Sequence, residues 1–579
     1  MDVLLVDPPG PQKSGYNLGL AYLAGSLLPA GLSVGVLDTN HCSDPEELCR
    51  DAVTTHRPGV VGVSIKSASQ AVAVRLAGAI RSVRSEAVLV AGGPHVSLDP
   101  CGFLQSTPEF DFAFAGECEE VFPRFVGAVL EEGSASTRLL GLRGLCRRAD
   151  QDVSGGEAEI LPDLDGLPFP LLDAFLNLDV QKRPYQLLTS RGCPYHCSYC
   201  CVGEIYGRRW RARSPESVIA EIRHFITRYG NPTFEIDDDN FTLGLKRAKE
   251  LCRAMAQVPD LPGWCCPNGI RGDRMDPELA ALMRQARCDT VAFGVESAVE
   301  SVLRANQKRE SLLAIQQAAA TCRAYGIKTW GYFIIGLPGS TFAFDLESVR
   351  FAEGGPFDGR IYNLFIPYPG TSSWDWVKRN GRFLRDYRNT LHFGEQATPV
   401  FETVDYPGAE RALLHQLTET SLHRLPDPVI EAFREPARRE EPAACVVEAD
   451  TFLPGARRRL LGRIRAVGVR IADRDPGAQV ASPLNRDEDE RVVRPSPRAG
   501  RLGTAGQILS FLRGRRESVL FVPHTPLFRL LFLLSGRRLV VFYDRSGTLS
   551  VSSRLAALFR LPGHLARGLG RDGGRIEPA

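Results

Sequence analysis

The sequence predicts an α/β protein: an N-terminal doubly wound, Rossmann-like sheet, then a partial (β/α)6 barrel, then a small C-terminal α/β or mixed extension. Three observations carry this. Strand and helix periodicities alternate over the first ~130 residues, as a parallel sheet covered by helices requires. A second run of about six βα units extends from Tyr185 to Ile366, enough for an open barrel. A chain of 579 residues also exceeds one ordinary core.

In the first series, strands are expected at Val3–Val6, Ser33–Leu37, Val60–Ile65, Ala87–Ala91 and Asp111–Ala115. Helices follow at Leu18–Leu28, Pro45–His56, Ala68–Val83, near Gly102 and at Glu119–Leu130. Such sheets receive ligands beyond the carboxyl ends of their strands. The loops there are Asp7–Gly10, Ser64–Ser69, Gly92–His95 and Gly116–Glu117, rich in Gly and small polar groups. Any one of them reads as turn chemistry; four on one edge point to a ligand. From Glu131 to Arg183 the periodicity fades, and the proline-dense LPDLDGLPFPLLD reads as a linker hugging the surface.

The second series places strands at Tyr185–Thr189, Thr233–Asp237, Gly263–Cys266, Thr290–Val295, Lys328–Ile335 and Arg360–Ile366. Helical segments such as Pro215–Tyr229 and Glu278–Arg287 separate them. Trp264 and Trp330 lie on these strands and are expected in the core. Of Cys265 and Cys266, one is expected to face the barrel interior, with small buried hydrophobe as the default role. The resulting division is 1–135, a linker at 136–183, a barrel at 184–400, a helical extension at 401–470, and a linker with an unassigned Arg-rich region at 471–579. Apolar patches recur there at Val519–Pro523 and Leu539–Tyr543.

Hydrophobic content of 44% with 24% charged residues describes a soluble globular protein. From Cys445 onward there are 24 Arg, no Lys and 12 acidic residues. Such a basic tail marks an acidic partner or, more simply, a compositional preference for Arg; nucleic acid is not expected as a partner. The start, MDVLLVDPPG, has no signal-peptide character, and the apolar stretch Leu527–Tyr543 is broken by Arg529 and Gly536-Arg537-Arg538. A cytoplasmic protein without a membrane span is expected. Fifteen scattered cysteines suit reduced thiols and a metal site better than a disulfide framework.

The sharpest feature is SRGCPYHCSYC, Ser190 to Cys200, directly after the first barrel strand. Cys193, Cys197 and Cys200 on one tight loop can ligate three irons of a 4Fe–4S cluster and leave the fourth open. Structural zinc is the alternative, with His196 or Cys201 as fourth ligand.

This motif resembles the signature of the radical S-adenosylmethionine (radical SAM) superfamily. FEIDDDNFT (Phe234–Thr242), GVES (Gly294–Ser297), GYFIIGLPG (Gly331–Gly339) and IPYPGT (Ile366–Thr371) resemble, in order, its branch with an N-terminal cobalamin-binding domain. So do DPPG, GVSIKSAS, AGGPHVS and AGECEE within the first sheet. The resemblance covers roughly residues 1–400 and makes 1–135 a cobalamin-binding domain. It implies that the open iron chelates S-adenosylmethionine and that one-electron reduction yields a 5′-deoxyadenosyl radical. Asp237, Asp238 and Asp239 would meet the methionine ammonium; a solvated loop is the plainer reading, and strand alternation sends at most two inward. Glu296 and Ser297 would bond ribose hydroxyls or methionine, while Gly336, Gly339 and the Tyr199 main chain would approach adenine. Lys308 matches a recurrent family lysine, with a solvated helix charge as the alternative. Ser340-Thr341 stands where the family often has Glu.

For cobalamin the resemblance implies Pro9, Ser64, Ser67, Gly92, Gly93, His95, Gly116 and Glu117. The Asp-x-His-x-x-Gly element that presents a histidine to cobalt is absent, and His41 and His95 lack those neighbours. The implied reaction is methylation, through methylcobalamin, of an unactivated carbon or phosphorus centre of a small molecule, natural product or lipid-like. No catalytic residue beyond the cluster is assigned. A reductant such as flavodoxin or ferredoxin is implied; the oligomeric state stays open. Rivals are a radical cyclisation or rearrangement resembling anaerobic magnesium-protoporphyrin ester cyclase, and methylthiotransfer to tRNA. The latter needs three further N-terminal cysteines; Cys42, Cys49, Cys101 and Cys118 are available, but none sits in the first strand-loop. A rival of another class is a non-catalytic iron–sulfur or cobalamin sensor, although the tail has no zinc-finger or helix-turn-helix pattern.

Overall fold

The computed structural model describes residues 1–10, 15–149, 152–155, 158, 160–394, 397–419, 430 and 434, with the backbone of 521–523, 539–543 and 549–553. The chain divides into a unit spanning Met1–Asp405 and a second spanning Tyr406–Ala579. Residues 471–520, where the expected linker begins, lie outside the described residues.

The first sheet holds β1 (Val3–Asp7), β2 (Val34–Asp38), β3 (Val60–Ser64), β4 (Val88–Gly92), β5 (Phe112–Phe114), β6 (Leu145–Ala149) and β7 (Asp152–Gly155), in the order β2-β1-β3-β4-β5-β6-β7. β1 to β5 are parallel. Their near-continuous Val/Leu/Ala runs are buried, as helices on both faces demand. The strand order reverses between β1 and β3, so a crevice opens beyond their carboxyl ends.

β6 and β7 were not expected. They extend the sheet antiparallel to β5, so its far edge is mixed. Their polar sequence, LCRRA and DVSG, lacks the alternation that betrays a strand. The rest of the expected linker is partly core. Leu161, Leu164 and Leu172 are buried, Leu171 N–H bonds to the Ala21 carbonyl (2.9 Å), and Phe175 bridges Val36 of β2.

The second sheet comprises β8 (Tyr185–Leu187), β11 (Thr233–Ile236), β12 (Gly263–Ile270), β13 (Cys288–Glu296), β14 (Lys328–Ile335) and β15 (Gly359–Leu364). All pairings are parallel and follow chain order, with β8 and β15 at the edges: a partial (β/α)6 barrel. A two-stranded ribbon, β9 (Ser190–Arg191) with β10 (Arg211–Ala212), follows β8.

Along β14, Thr329, Gly331, Phe333 and Ile335 are buried, whereas Lys328, Trp330, Tyr332 and Ile334 are not. The period of two thus separates a helix-covered face from an open interior. Trp330 belongs to the open face and is 37% exposed, which corrects its expected place in the core; its indole lies across the Cα of Gly359. Cys265 is half-buried, whereas Cys266 is buried on the helix-covered face.

Trp264 is core. It stacks on Phe234 (ring centroids 5.9 Å apart) and donates its indole N–H to the Ala286 carbonyl (2.6 Å). Within the second unit, the apolar patch Leu539–Tyr543 is a strand, parallel to Phe521–Pro523 and antiparallel to Leu549–Ser553. Gly408–Glu419 is a helix. Trp264→Ala should cost about 3–5 kcal/mol through cavity formation, read as a lowered urea midpoint; a loss below about 1 kcal/mol would contradict this packing.

Candidate functional site

The loop from Gly192 to Cys201 joins β9 to the short helix Val202–Tyr206 and carries all three cysteines of the motif. Its conformation is imposed from outside. At the start, the Gly192 N–H donates to Asp239 Oδ2 (2.8 Å). Gly192 has φ +82°, and a Cβ there would lie 2.5 Å from the Arg209 carbonyl oxygen, so only glycine fits. In the middle, Ser198 donates through N and Oγ to Asn306 (3.0 and 2.7 Å) and accepts from Ser373 Oγ (2.8 Å). The Asn306 amide also donates to the carbonyls of Val302 and Pro338 (2.9 Å each), tying the cysteine loop to the Gly336–Gly339 turn. Tyr195 lies under Arg271, with the guanidinium 3.9 Å from the ring centroid.

The cysteines themselves are half-buried. Burial pushes the Cys197 and Cys200 thiols up, with neighbouring cysteines adding to the effect. Thiols disfavoured as free anions are relieved by a metal that takes the charge. The Tyr199 hydroxyl is within hydrogen-bonding reach of the Cys197 sulfur, and Asn240 Nδ2 lies 4.0 Å from Cys193 Sγ. Among the described residues no three His, Cys, Asp or Glu side chains are gathered as a single metal ion would need. A cubane asks for wider spacing, because each thiolate takes its own iron.

The acidic triplet splits three ways. Asp237 lines a cavity and accepts from Gln186 Nε2 (2.6 Å). Asp239 lines the same cavity, and burial pushes its carboxyl up to about 6. Asp238 faces away: it is 2% exposed and accepts from N and Oγ of both Thr189 and Ser190 (2.6–3.0 Å). This corrects the expectation that Asp238 meets a ligand; it fastens the β8–β9 corner. Ser297 is likewise spent, fully buried against Ser348 Oγ (3.2 Å) and accepting from Val299 N–H (3.2 Å). The Gly336 N–H goes to Asp345 Oδ2 (2.7 Å), whereas Gly339 is exposed.

Glu296 is held at φ +66°, and Lys308 stands between two further left-handed residues, Gln307 and Arg309. Such backbone persists only where surroundings enforce it. Lys308 Nζ lies 3.4 Å from both Glu296 and Glu310. Burial opposes its charge, but the two carboxylates overcome it and hold the ammonium well above its usual value. Lys308 is therefore not the solvated charge that its polar sequence neighbourhood suggested.

The cavity, about 370 Å³, gathers loops from the carboxyl ends of both sheets. Ser64, Gly92, Gly93, Gly116 and Glu117 line it together with Asp237 and Asp239. Pro9, Ser67 and His95 do not. His95 is a buried residue, hydrogen-bonded to Ser67 Oγ (3.0 Å) and edge-on to Phe103. That corrects its expected role. No histidine is among the lining residues.

The lining suits a large macrocycle bearing amide side chains, such as cobalamin. Gly93 has φ +93°, and a Cβ there would sit 2.8 Å from the Ile65 nitrogen, whereas a Cβ on Gly92 would project into open space. Tyr22 lines the cavity, and its hydroxyl is buried without a hydrogen-bond partner among the described residues. A ligand amide would satisfy it.

Ion pairs close the cavity wall. Arg191 Nη1 meets Glu117 Oε1 (3.2 Å), its Nη2 meets Glu119 Oε1 (2.6 Å), and Arg211 Nη1 meets Glu117 Oε2 (2.6 Å).

Comparisons with known proteins agree with this geometry. The family model described as the radical SAM superfamily matches residues 187–351, and that described as the B12 binding domain matches 11–126. The chain is 29% identical over 396 residues to an uncharacterized methyltransferase of Pyrococcus horikoshii, covering 66% of this chain and 84% of the relative. It is 30% identical over 419 residues to the cytidylyl-2-hydroxyethylphosphonate methyltransferase of Streptomyces wedmorensis, covering 62% and 76%. The chain belongs to the cobalamin radical SAM methyltransferase family. Members of this family are enzymes whose cofactors are a 4Fe–4S cluster, S-adenosylmethionine and cobalamin, and the residues above fit them. The radical S-adenosylmethionine methyltransferase TsrM from Kitasatospora setae, solved with cobalamin and a 4Fe–4S cluster, shares the fold. Its TM-score is 0.58 at 20% identity, over 67% of this chain and 81% of that one.

Residues that sequence reasoning missed in this family member are Asn306, Ser373, Arg191 and Arg211. Each acts on a segment remote in sequence, so no local pattern reports it.

Asn306→Ala removes the clamp on Ser198 and should lower iron incorporation at least about threefold while the far-UV spectrum is unchanged, since it leaves buried partners unsatisfied. Burial, aided by Arg388, pushes His95 down to about 4, from an ordinary value near 6.5. Between those two values the unfolded chain binds the extra proton, so stability falls as pH falls. From pH 7 to 5 the wild-type protein should lose about 1–2 kcal/mol that His95→Asn does not, read from urea midpoints at each pH.

Proposed function

We propose that the protein uses Cys193, Cys197 and Cys200 to hold the cluster and methylates an unactivated carbon or phosphorus centre of a small molecule. The observation that carries this is one cavity reached both by the loops after β1, β3, β4 and β5 and by Asp237 and Asp239 beside the cysteine loop. When bound, the cluster supplies the electron that cleaves S-adenosylmethionine, and cobalamin supplies the methyl group.

The chain's own residues have four tasks. Cys193, Cys197 and Cys200 would hold the cluster through their thiolates, and the cluster would offer a binding point for S-adenosylmethionine. Asp237 and Asp239 put carboxylates on the side where a methionine ammonium would lie. Glu296, held in place by Lys308, offers a hydrogen-bond acceptor at the end of β13 for ribose hydroxyls. Gly92, Gly93 and Gly116 would give backbone access to a corrin, and apolar lining residues such as Leu5, Val63, Val90 and Phe114 would help to exclude water. The Streptomyces relative is named for a phosphonate substrate, which supports a small molecule as the acceptor. Among the described residues no helix is long and apolar enough to cross a membrane. We place the enzyme in the cytoplasm, reduced by flavodoxin or ferredoxin.

Anaerobic reconstitution tests the reading. Wild-type protein should take up about four irons per chain and release 5′-deoxyadenosine on reduction with S-adenosylmethionine. Label from its methyl group should be recovered in the corrinoid fraction. Cys193→Ala, Cys197→Ala or Cys200→Ala should each abolish cluster-dependent deoxyadenosine release, by at least about a hundredfold. Zinc in place of iron, or a cluster unresponsive to S-adenosylmethionine, would sink the proposal. Deoxyadenosine without methyl transfer would redirect it to ring-forming or rearrangement chemistry.

A further inference from the structure

We propose that Arg191 is a positioning residue that couples occupation of the N-terminal loops to the geometry of the cysteine loop. This rests on the reading that the former receive cobalamin and the latter the cluster.

Arg191 ends β9, and the next two residues are Gly192 and Cys193. Successive Cα atoms are about 3.8 Å apart, so the Arg191 backbone lies within two peptide units of the first cysteine. Its guanidinium does not stay with the barrel. It reaches the loop after β5, where it bonds to Glu117 (3.2 Å) and Glu119 (2.6 Å) and lies 5.3 Å over the Tyr22 ring. Arg211, its register partner on β10, holds the other oxygen of Glu117 (2.6 Å), which also accepts from Leu161 N–H (2.5 Å).

The four charges balance, and all are buried: the Arg191 side chain is 8% exposed and that of Glu117 is 1%. Such a quartet adds little net stability, because desolvation offsets attraction; loss of one member, however, strands a buried charge. It therefore transmits position stiffly. Gly116, Glu117, Glu119 and Arg191 all line the cavity, so a ligand resting on the β5 loop bears on the arm that carries Cys193. Coupling of this kind is reciprocal: what each cofactor does to the other's affinity is the same factor.

The test measures hydroxocobalamin affinity anaerobically, by visible absorbance, for protein with and without the reconstituted cluster. Wild-type affinity should differ between the two states by at least about fivefold. In Arg191→Met the ratio should fall below about twofold while both cofactors still bind. Arg191→Lys, which keeps the charge but loses the two-pronged contact, should be intermediate. Glu119→Gln leaves the Glu117 pairs in place and should also lower the ratio; it decides the matter if Arg191→Met does not fold. A wild-type ratio near one, or variants that keep the wild-type ratio, would overturn the inference and leave the proposed function standing. Wild-type protein that binds no hydroxocobalamin or no cluster would overturn both.

Discussion

Between Gly192 and Cys201 the chain places three thiols on a segment with hardly any hydrogen-bond ladder of its own. A loop of that kind pays full conformational entropy unless other parts of the fold fix it. Here the fixing is done by side chains from four directions: Asp239 at Gly192, Asn306 and Ser373 at Ser198, and Arg271 under Tyr195. Asp238 sets the corner just before the loop through four hydrogen bonds to two consecutive residues. Asp239 and Asp238 are adjacent on one strand end, so one short sequence fixes both the approach to the loop and its first residue. The barrel strands are the rigid part, and the cysteines are carried on them by polar contacts.

Those contacts are buried, which decides their character. In a low-dielectric interior a satisfied carboxylate is geometrically exacting, because any displacement leaves a polar group without a partner. The same argument applies to Lys308, which two carboxylates hold among left-handed backbone residues. Strain of this order, about 1–3 kcal/mol per residue, is tolerated where position matters more than stability. The charged interior at the carboxyl ends of β12 and β13 therefore serves placement, whereas aromatic stacking deeper in the barrel, such as Trp264 on Phe234, supplies cohesion.

Much of this was legible in the sequence, for a physical reason. Strand and helix periods are local, and the expected strands of both sheets, β12 apart, fell within two residues of the observed bounds. The cysteine spacing is local too. What could not be read is pairing across distance. Lys308 sits in the polar stretch NQKRES and looks solvated until Glu296 is folded against it. Asn306 is an ordinary helix-end residue until Ser198 arrives. Asp238 and Ser297 carried plausible ligand-binding chemistry, but their neighbours consume it. Trp330 shows the same limit on a strand: alternation assigns it a face, but only the open barrel makes that face an interior wall. β6 and β7 escaped because a polar edge strand has no hydrophobic period to detect.

The two sheets share a directional logic that accounts for the single cavity. In a parallel sheet every strand delivers its following loop to the same edge, so all the ligand-facing loops of the first sheet lie on one side. The barrel obeys the same rule, which brings the cysteine loop and Asp237 to its own carboxyl end. With those edges turned toward each other, Gly93 and Gly116 on one side and Asp239 on the other become walls of one space. Two separate crevices could each bind a cofactor, but a group passed between them would have to cross water. A shared crevice removes that step, and its wall must then contain whatever joins the two edges. Buried, oppositely charged side chains suit that wall because their pairing fixes the separation of the edges.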